Sequence, residues 1–148
     1  MDCIFCNIIQ KKSDAAIIWE DSEFTAILDL YPNVKGQTLL ISKDHFASDL
    51  HDMSDETYAR FLLASRKVVS LLKKTLGVKR VALVIEGMGI NHAHIKLYPL
   101  YGLKKSFQQM WPKGCVFFET YEGYITTQIG PEADIKSLKK LAEQIKKA

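Results

Sequence analysis

The sequence predicts an α+β fold, a mostly antiparallel sheet with helices packed against it. Short apolar runs of strand length follow one another in the first third of the chain. One long helical pattern stands in the middle and a second amphipathic one near the end. Because strands and helices do not alternate regularly, the pattern favours antiparallel strands over a parallel sheet.

The first half of the sheet can be read from its turns. Residues 4–9 predict a short N-terminal helix, which Ser13 and Asp14 end. The apolar runs 16–20 and 24–30, separated by three polar residues, predict a hairpin. A turn then leads to a third strand over residues 37–42.

The long central helix has the clearest local signals. Ser54 is a good N-cap, and Asp55 and Glu56 place negative charge in the first turn, where the helix dipole favours it. Apolar residues recur at helical spacing as far as Gly77, a typical C-terminal stop. The sequence therefore predicts one helix across this stretch.

Two further strands and a C-terminal extension complete the prediction. The continuous apolar run 81–85 predicts a buried strand, and 91–99 alternates like a half-buried one. Beyond it, residues 116–119 and 124–128 predict a second hairpin, and 133–147 an amphipathic helix.

Composition limits the class of protein. A chain of 148 residues predicts a single domain over 1–148, and 47% hydrophobic with 25% charged residues excludes disordered and fibrous classes. The net charge of +3 is modest, and the five lysines of the last helix are typical of a solvated helix face. We therefore expect no nucleic-acid partner. No run approaches the ~20 apolar residues of a membrane span, and the amino terminus lacks the pattern of a secretory signal. We expect a cytoplasmic protein without a membrane partner.

Residues 91–96, Asn-His-Ala-His-Ile-Lys, hold the strongest functional signal. In a strand, His92, His94 and Lys96 share one face, with about 6.6 Å between successive Cα atoms. Imidazole acts near neutral pH as a base, nucleophile or metal ligand. Two interpretations stay open: His94 attacks a phosphoryl group beside the fixed charge of Lys96, or both histidines bind a catalytic metal.

Cys3-x-x-Cys6 supplies half of a tetrahedral zinc site. The alternative is two small buried side chains on a short helix. A shell of two thiolates and two imidazoles is closed, which would make the metal structural. The two missing ligands are to be found among His45, His51, His92 and His94.

Four segments together resemble the histidine triad (HIT) superfamily. They are Cys-Ile-Phe-Cys-Asn-Ile-Ile, Ile-Leu-Asp-Leu-Tyr-Pro, Leu-Leu-Ile-Ser-Lys-Asp-His and His-Ala-His-Ile-Lys-Leu-Tyr-Pro, in the order and spacing of that superfamily. The resemblance covers about residues 3–101, the core, leaves 102–148 as a C-terminal extension, and is greatest to the bacterial and Hint-like branch that hydrolyses nucleotides. It implies a homodimer whose sheets join, binding a purine nucleotide with its α-phosphate at the histidine row.

The resemblance also implies roles for single residues. His94 becomes the nucleophile that forms a covalent nucleotidyl-histidine, and Asp29 the acceptor of hydrogen bonds from the ribose hydroxyls. Gly89, in the loop before the row, belongs to the nucleotide site. A structural zinc is implied on Cys3, Cys6, His45 and His92, and an apolar wall around the base on Phe5, Ile8, Ile27, Leu28 and Leu30.

The sequence departs from the family pattern at the phosphate-binding positions. Lys96 replaces the third histidine, residues 86–90 replace a longer Ala-Gly-Gln-Ser/Thr loop, and Ile85 stands where an Asn is usual. Lysine can still hold a phosphate oxygen as a point charge, but it is less able to act as a neutral hydrogen-bond partner. We therefore expect a nucleotide hydrolase or nucleotidyl transferase that acts on dinucleoside polyphosphates or nucleoside phosphoramidates. The alternative is a catalytically weak, nucleotide-binding regulatory protein stabilised by zinc.

Overall fold

The structure, a computed structural model, describes residues 3–111, 117–123 and 131–147. Its five antiparallel strands form one sheet in the order β1-β2-β3-β5-β4, with three α-helices packed against it. The α+β prediction, with one long central helix and short helices near both ends, is confirmed. The elements are α1 (Ile4–Ile9), β1 (Ile17–Glu20), β2 (Phe24–Leu28), β3 (Thr38–Ser42), α2 (Asp55–Leu76), β4 (Arg80–Val84), β5 (His94–Leu100) and α3 (Ile135–Lys146).

The sheet separates two apolar clusters, because successive side chains of a strand point to opposite faces. The main core lies between the sheet and helices α2 and α3, and it includes Leu28, Leu40, Leu72, Ile95 and Ile145. A second cluster joins α1 to the other face through Phe5, Ile8, Ile27, Leu39 and Ile41. The candidate functional site lies on the face that carries α1.

The helix ends follow the sequence signals. The Ser54 hydroxyl accepts a hydrogen bond from the backbone N–H of Thr57, and Gly77 ends α2 in the left-handed conformation at φ 66°. The Asp134 carboxylate caps α3 in the same way by accepting from the N–H of Ser137 at 2.9 Å. Helix α3 then adds Leu138, Ala142 and Ile145 to the main core, so this part of the extension packs on the domain.

The structure corrects the expectation that residues 81–85 form a buried strand. β4 is the last strand of the sheet, and its five residues are half-buried or exposed. An apolar run predicts that a strand forms, but not where it lies in the sheet. A strand at the edge has a neighbouring strand on one side only and is therefore less buried.

The strand predicted over residues 91–99 also begins later than expected. β5 starts at His94, because the chain turns just before it, where the N–H of His92 donates to the carbonyl of Ile90 at 2.8 Å. Most of the predicted hairpin at 116–119 and 124–128 lies outside the described residues. Within the described ranges, no helix is both long and apolar enough to cross a bilayer.

Candidate functional site

Four potential metal ligands converge beside α1. The ligand atoms of Cys3, Cys6, His45 and His92 all lie within 4.8 Å of one another, and we call these residues the metal cluster. Cys3 and Cys6 stand at the start of α1, His45 follows β3, and His92 precedes β5. The fold thus brings together residues that are far apart in the sequence, and of the four histidines it selects His45 and His92.

The distances in the metal cluster suit a tetrahedral ion. The sulfur of Cys3 lies 3.4 Å from Nδ1 of His92, that of Cys6 lies 3.3 Å from Nδ1 of His45, and the two Nδ1 atoms are 3.2 Å apart. Zinc bound tetrahedrally at its usual bond lengths spaces sulfur from nitrogen by about 3.6 Å and nitrogen from nitrogen by about 3.3 Å. The donor set and its spacing therefore fit zinc.

The fold also presents the correct nitrogen of His92. Nε2 lies 2.8 Å from the carbonyl oxygen of Ser42, which can only accept, so Nε2 carries the proton and the Nδ1 lone pair faces the thiols. Burial lowers the pKa of His92, the bond to Ser42 acts against this, and the nearby His45 and His94 lower it further. The ring is thereby kept neutral, as a metal ligand must be.

A cavity of about 140 Å³ opens on the same face of the sheet, and we call it the His94 cavity. It brings His94 and Lys96 of β5 together with Asp29, which follows β2. Its walls are Phe5, Asp29, Tyr31, Asn33, Gln37, Leu39, Gly89, Ile90, His94, Lys96 and Tyr98.

His94 is held in one tautomer. Its Nδ1–H donates to the backbone carbonyl of His92 at 2.7 Å, which leaves the lone pair on Nε2. Burial lowers the pKa of His94, and the hydrogen bond to the His92 carbonyl opposes this effect. The positive charge of Lys96 lowers the pKa further, whereas the negative charge of Asp29 raises it. The site therefore favours a neutral imidazole, the nucleophilic form.

The Asp29 carboxylate is fixed on both oxygens. Oδ1 accepts from the N–H of Tyr31 at 2.9 Å, and Oδ2 accepts from the side-chain amide of Gln37 at 2.6 Å. The amide oxygen of Gln37 in turn accepts from the N–H of Asn33 at 2.8 Å. Each carboxylate oxygen keeps a further lone pair for a ligand hydroxyl.

Lys96 has an acidic neighbour that the sequence did not single out as functional. Its Nζ lies 4.0 Å from Oε2 of Glu86, whose side chain is 5% exposed. Tyr98 is affected by both acidic residues near the cavity, Asp29 and Glu86. Burial raises the pKa of Tyr98, and the negative charges of these two residues raise it further. The cavity thus combines one buried imidazole with side chains of opposite charge, Lys96 and Asp29.

The structure divides the residues predicted to surround the base. Phe5 and Gly89 line the His94 cavity, whereas Ile8 and Ile27 lie in the second cluster without lining it. Leu28 lies in the main core, Leu30 packs against it, and neither lines the His94 cavity. Core packing accounts for both.

Sequence reasoning missed several residues of the cavity. Tyr98 shares the alternation of His92, His94 and Lys96, so the period of two could have included it. The role of Gln37 becomes visible only in the three-dimensional structure, where the chain turns back after Asp29 and brings Gln37 against the Asp29 carboxylate. Tyr31, Asn33, Leu39 and Ile90 complete the missed set.

Comparisons with known proteins identify the family of this chain. The HIT domain model matches residues 10–101. An uncharacterised HIT-like protein of Methanocaldococcus jannaschii is 35% identical over 104 residues, which is 67% of this chain and 79% of that protein. The adenosine 5'-monophosphoramidase hnt1 of Schizosaccharomyces pombe is 30% identical over 118 residues, 76% of this chain and 84% of that enzyme.

Solved structures share the fold. A hypothetical histidine triad nucleotide-binding protein of Sulfolobus tokodaii superposes with a TM-score of 0.73 at 24% identity, covering 98% of this chain and 90% of the other. A Zn-bound histidine triad family protein of Mycobacterium smegmatis gives 0.67 at 23% identity, covering 99% and 92%. Because the HIT domain match spans more than half of the chain, and relatives above 30% identity cover two thirds of it, this chain belongs to the HIT family.

Proposed function

We propose that this chain is a nucleotide hydrolase or nucleotidyl transferase that acts at the α-phosphorus of a purine nucleotide conjugate. One observation carries the proposal: the His92 carbonyl fixes the proton of His94 on Nδ1, inside a cavity that also holds Lys96 and Asp29. A neutral imidazole with a free Nε2 lone pair is the group needed to attack phosphorus.

The reaction has two steps. Nε2 of His94 attacks the α-phosphorus and forms a P–N bond, while the bond to the leaving group breaks and that group departs with the electron pair and takes a proton from solvent. Water, or the hydroxyl of another acceptor in a transferase, then attacks the nucleotidyl-histidine and gives up its proton to solvent. The P–N bond breaks, the nucleoside monophosphate or the nucleotidylated acceptor is released, and His94 regains its lone pair.

Lys96 and Asp29 serve the two ends of the nucleotide. Lys96 donates to a non-bridging phosphate oxygen and stabilises the negative charge that develops during attack. Asp29 accepts from the ribose hydroxyls, for which its geometry is already fixed by Tyr31 and Gln37. Phe5, Leu39 and Ile90 supply the apolar wall for the base.

We propose zinc on Cys3, Cys6, His45 and His92. When bound there, zinc would have four protein ligands and no open position, so it would supply structural stability. His94 lies outside the metal cluster, which favours the nucleophile over the alternative of a catalytic metal on His92 and His94. The Mycobacterium smegmatis protein of the same fold is described as Zn-bound.

The related adenosine 5'-monophosphoramidase supports a nucleoside phosphoramidate as one substrate. Dinucleoside polyphosphates are the other substrate class we propose, since both classes contain an α-phosphorus with a leaving group.

The proposed protein partner is a second copy of the chain. β4 is an edge strand with the exposed apolar residue Leu83, which suits a sheet that continues across a dimer. Light scattering during gel filtration should give twice the chain mass.

Intact-protein mass spectrometry tests the proposed chemistry. After seconds of incubation with adenosine phosphoramidate or diadenosine tetraphosphate, the protein should gain the mass of one adenylyl group and release AMP. His94→Ala should show neither, whereas His51→Ala should match the wild type, because His51 is exposed and lies outside both sites. Adenosine binding without adduct or product would instead support the catalytically weak regulatory protein.

A further inference from the structure

The Glu86 carboxylate is an unusual group in this molecule. Its side chain is 95% buried, and neither oxygen has a hydrogen-bond partner in the described part of the chain. A buried carboxylate without donors is costly unless an opposite charge lies close by. We therefore looked for a positive charge close to the Glu86 carboxylate.

That charge is Lys96. The ammonium lies 4.0 Å from Oε2 of Glu86, close enough for ionic attraction but longer than a hydrogen bond. Glu86 therefore attracts the ammonium without occupying any of its three N–H donors. Those donors remain available to a phosphate in the His94 cavity, which Lys96 lines.

The shortened loop before the histidine row fixes Glu86 in place. Gly87 has φ +73°, and a Cβ there would lie 2.6 Å from the carbonyl oxygen of Ser48. The Asn91 side chain accepts from the N–H of Ser48 at 3.0 Å, which ties the other end of the loop to the same segment. In the sheet, Val84 pairs with Lys96, so Glu86 follows two residues after the direct neighbour of Lys96.

We propose that Glu86 is a positioning residue that acts through Lys96. It holds the flexible ammonium of Lys96 against the cavity wall by ionic attraction and leaves its three N–H donors free to bind a phosphate oxygen. The inference rests on the proposed function and adds to it a residue with no assigned role.

A double-mutant cycle tests the proposal. The variants are Glu86→Gln, Lys96→Met and both together, with Glu56→Gln as the control, because Glu56 is exposed and pairs with Arg60 on α2. We expect Glu86→Gln to slow formation of the adenylyl adduct on the order of tenfold, mainly in kcat and less in KM. In the Lys96→Met background the same change should alter the rate less than twofold, and Glu56→Gln should match the wild type. An equal loss in both backgrounds, or no loss in Glu86→Gln, would overturn the proposal.

Urea unfolding of the same variants, without nucleotide, provides a readout that does not need catalysis. Lys96→Met leaves Glu86 buried without its counter-charge, so its midpoint should fall below that of the double variant. Additive midpoints would overturn the pairing, whatever the activity. If the wild type forms no adduct, the proposed function fails and the catalytic role of Glu86 with it, while non-additive midpoints would still demonstrate the pair.

Discussion

Removing one ligand of the metal cluster should strip the protein of zinc without unfolding it. In Cys6→Ser, the sulfur that lies 3.3 Å from Nδ1 of His45 and 3.6 Å from Nδ1 of His92 is lost. Three donors then remain, and a hydroxyl is a poor replacement for a thiolate on zinc. The main core contains no residue of the metal cluster, so the sheet and helices α2 and α3 should stay folded.

The size of the effect follows from ligand linkage. An ion present at 100 to 1,000 times its dissociation constant stabilises the folded state by roughly 2.7 to 4.1 kcal/mol. For a domain of this size each kcal/mol corresponds to roughly 2–4 °C in Tm. Cys6→Ser should therefore melt about 5–16 °C below the zinc-loaded wild type.

Zinc content and calorimetry on the same samples form the assay. His45→Ala and His51→Ala are a matched pair, because both histidines are exposed and only His45 belongs to the metal cluster. The wild type and His51→Ala should carry one zinc per chain, and Cys6→Ser and His45→Ala close to none. One zinc retained in Cys6→Ser, or zinc lost with no fall in Tm, would refute the reasoning.

Three further substitutions test the cavity, the loop and the core. Asp29→Asn should raise KM for an adenosine conjugate about tenfold or more, because the variant loses charge-assisted hydrogen bonds to the ribose. If the wild type had the same KM for the 2'-deoxy substrate, that result would count against this role of Asp29. Gly87→Ala should destabilise by about 1–3 kcal/mol in urea unfolding because of its positive φ and the close Ser48 carbonyl, whereas Gly89→Ala, with open space around its Cβ, should not. Leu72→Ala in the core of α2 should cost about 2–5 kcal/mol, while Leu63→Ala, on the same helix but 58% exposed, should cost far less.

Local signals made the helices predictable. The ends of α2 depend on Ser54 and Gly77, whose effects act within a few residues, so the sequence contained all that was needed. β4 shows the opposite case: its apolar run indicates a strand, but whether that strand lies at an edge depends on pairing with distant residues. Its exposure could not be predicted from its own composition.

The site divides in the same way. His94 and Lys96 were found because alternation along one strand is a local property. The same alternation on β2 could have placed Leu28 in the main core, since its neighbour Ile27 points to the face of α1. By contrast, the choice of His45 over His51, and the pairing of Glu86 with Lys96, depend on which chain segments the fold brings together.

The two sites of this face are joined at one residue. The His92 ring belongs to the metal cluster through Nδ1 and is oriented by the Ser42 carbonyl, while the His92 backbone carbonyl accepts a hydrogen bond from Nδ1–H of His94. The Phe5 ring packs edge-on against both imidazoles, at centroid distances of 5.6 and 5.5 Å. Zinc bound to the His92 ring would restrain that residue, and we therefore expect it to help hold the carbonyl that fixes the proton of His94 on Nδ1. If both proposals hold, loss of zinc should slow the reaction of His94 although the metal cluster does not line the His94 cavity.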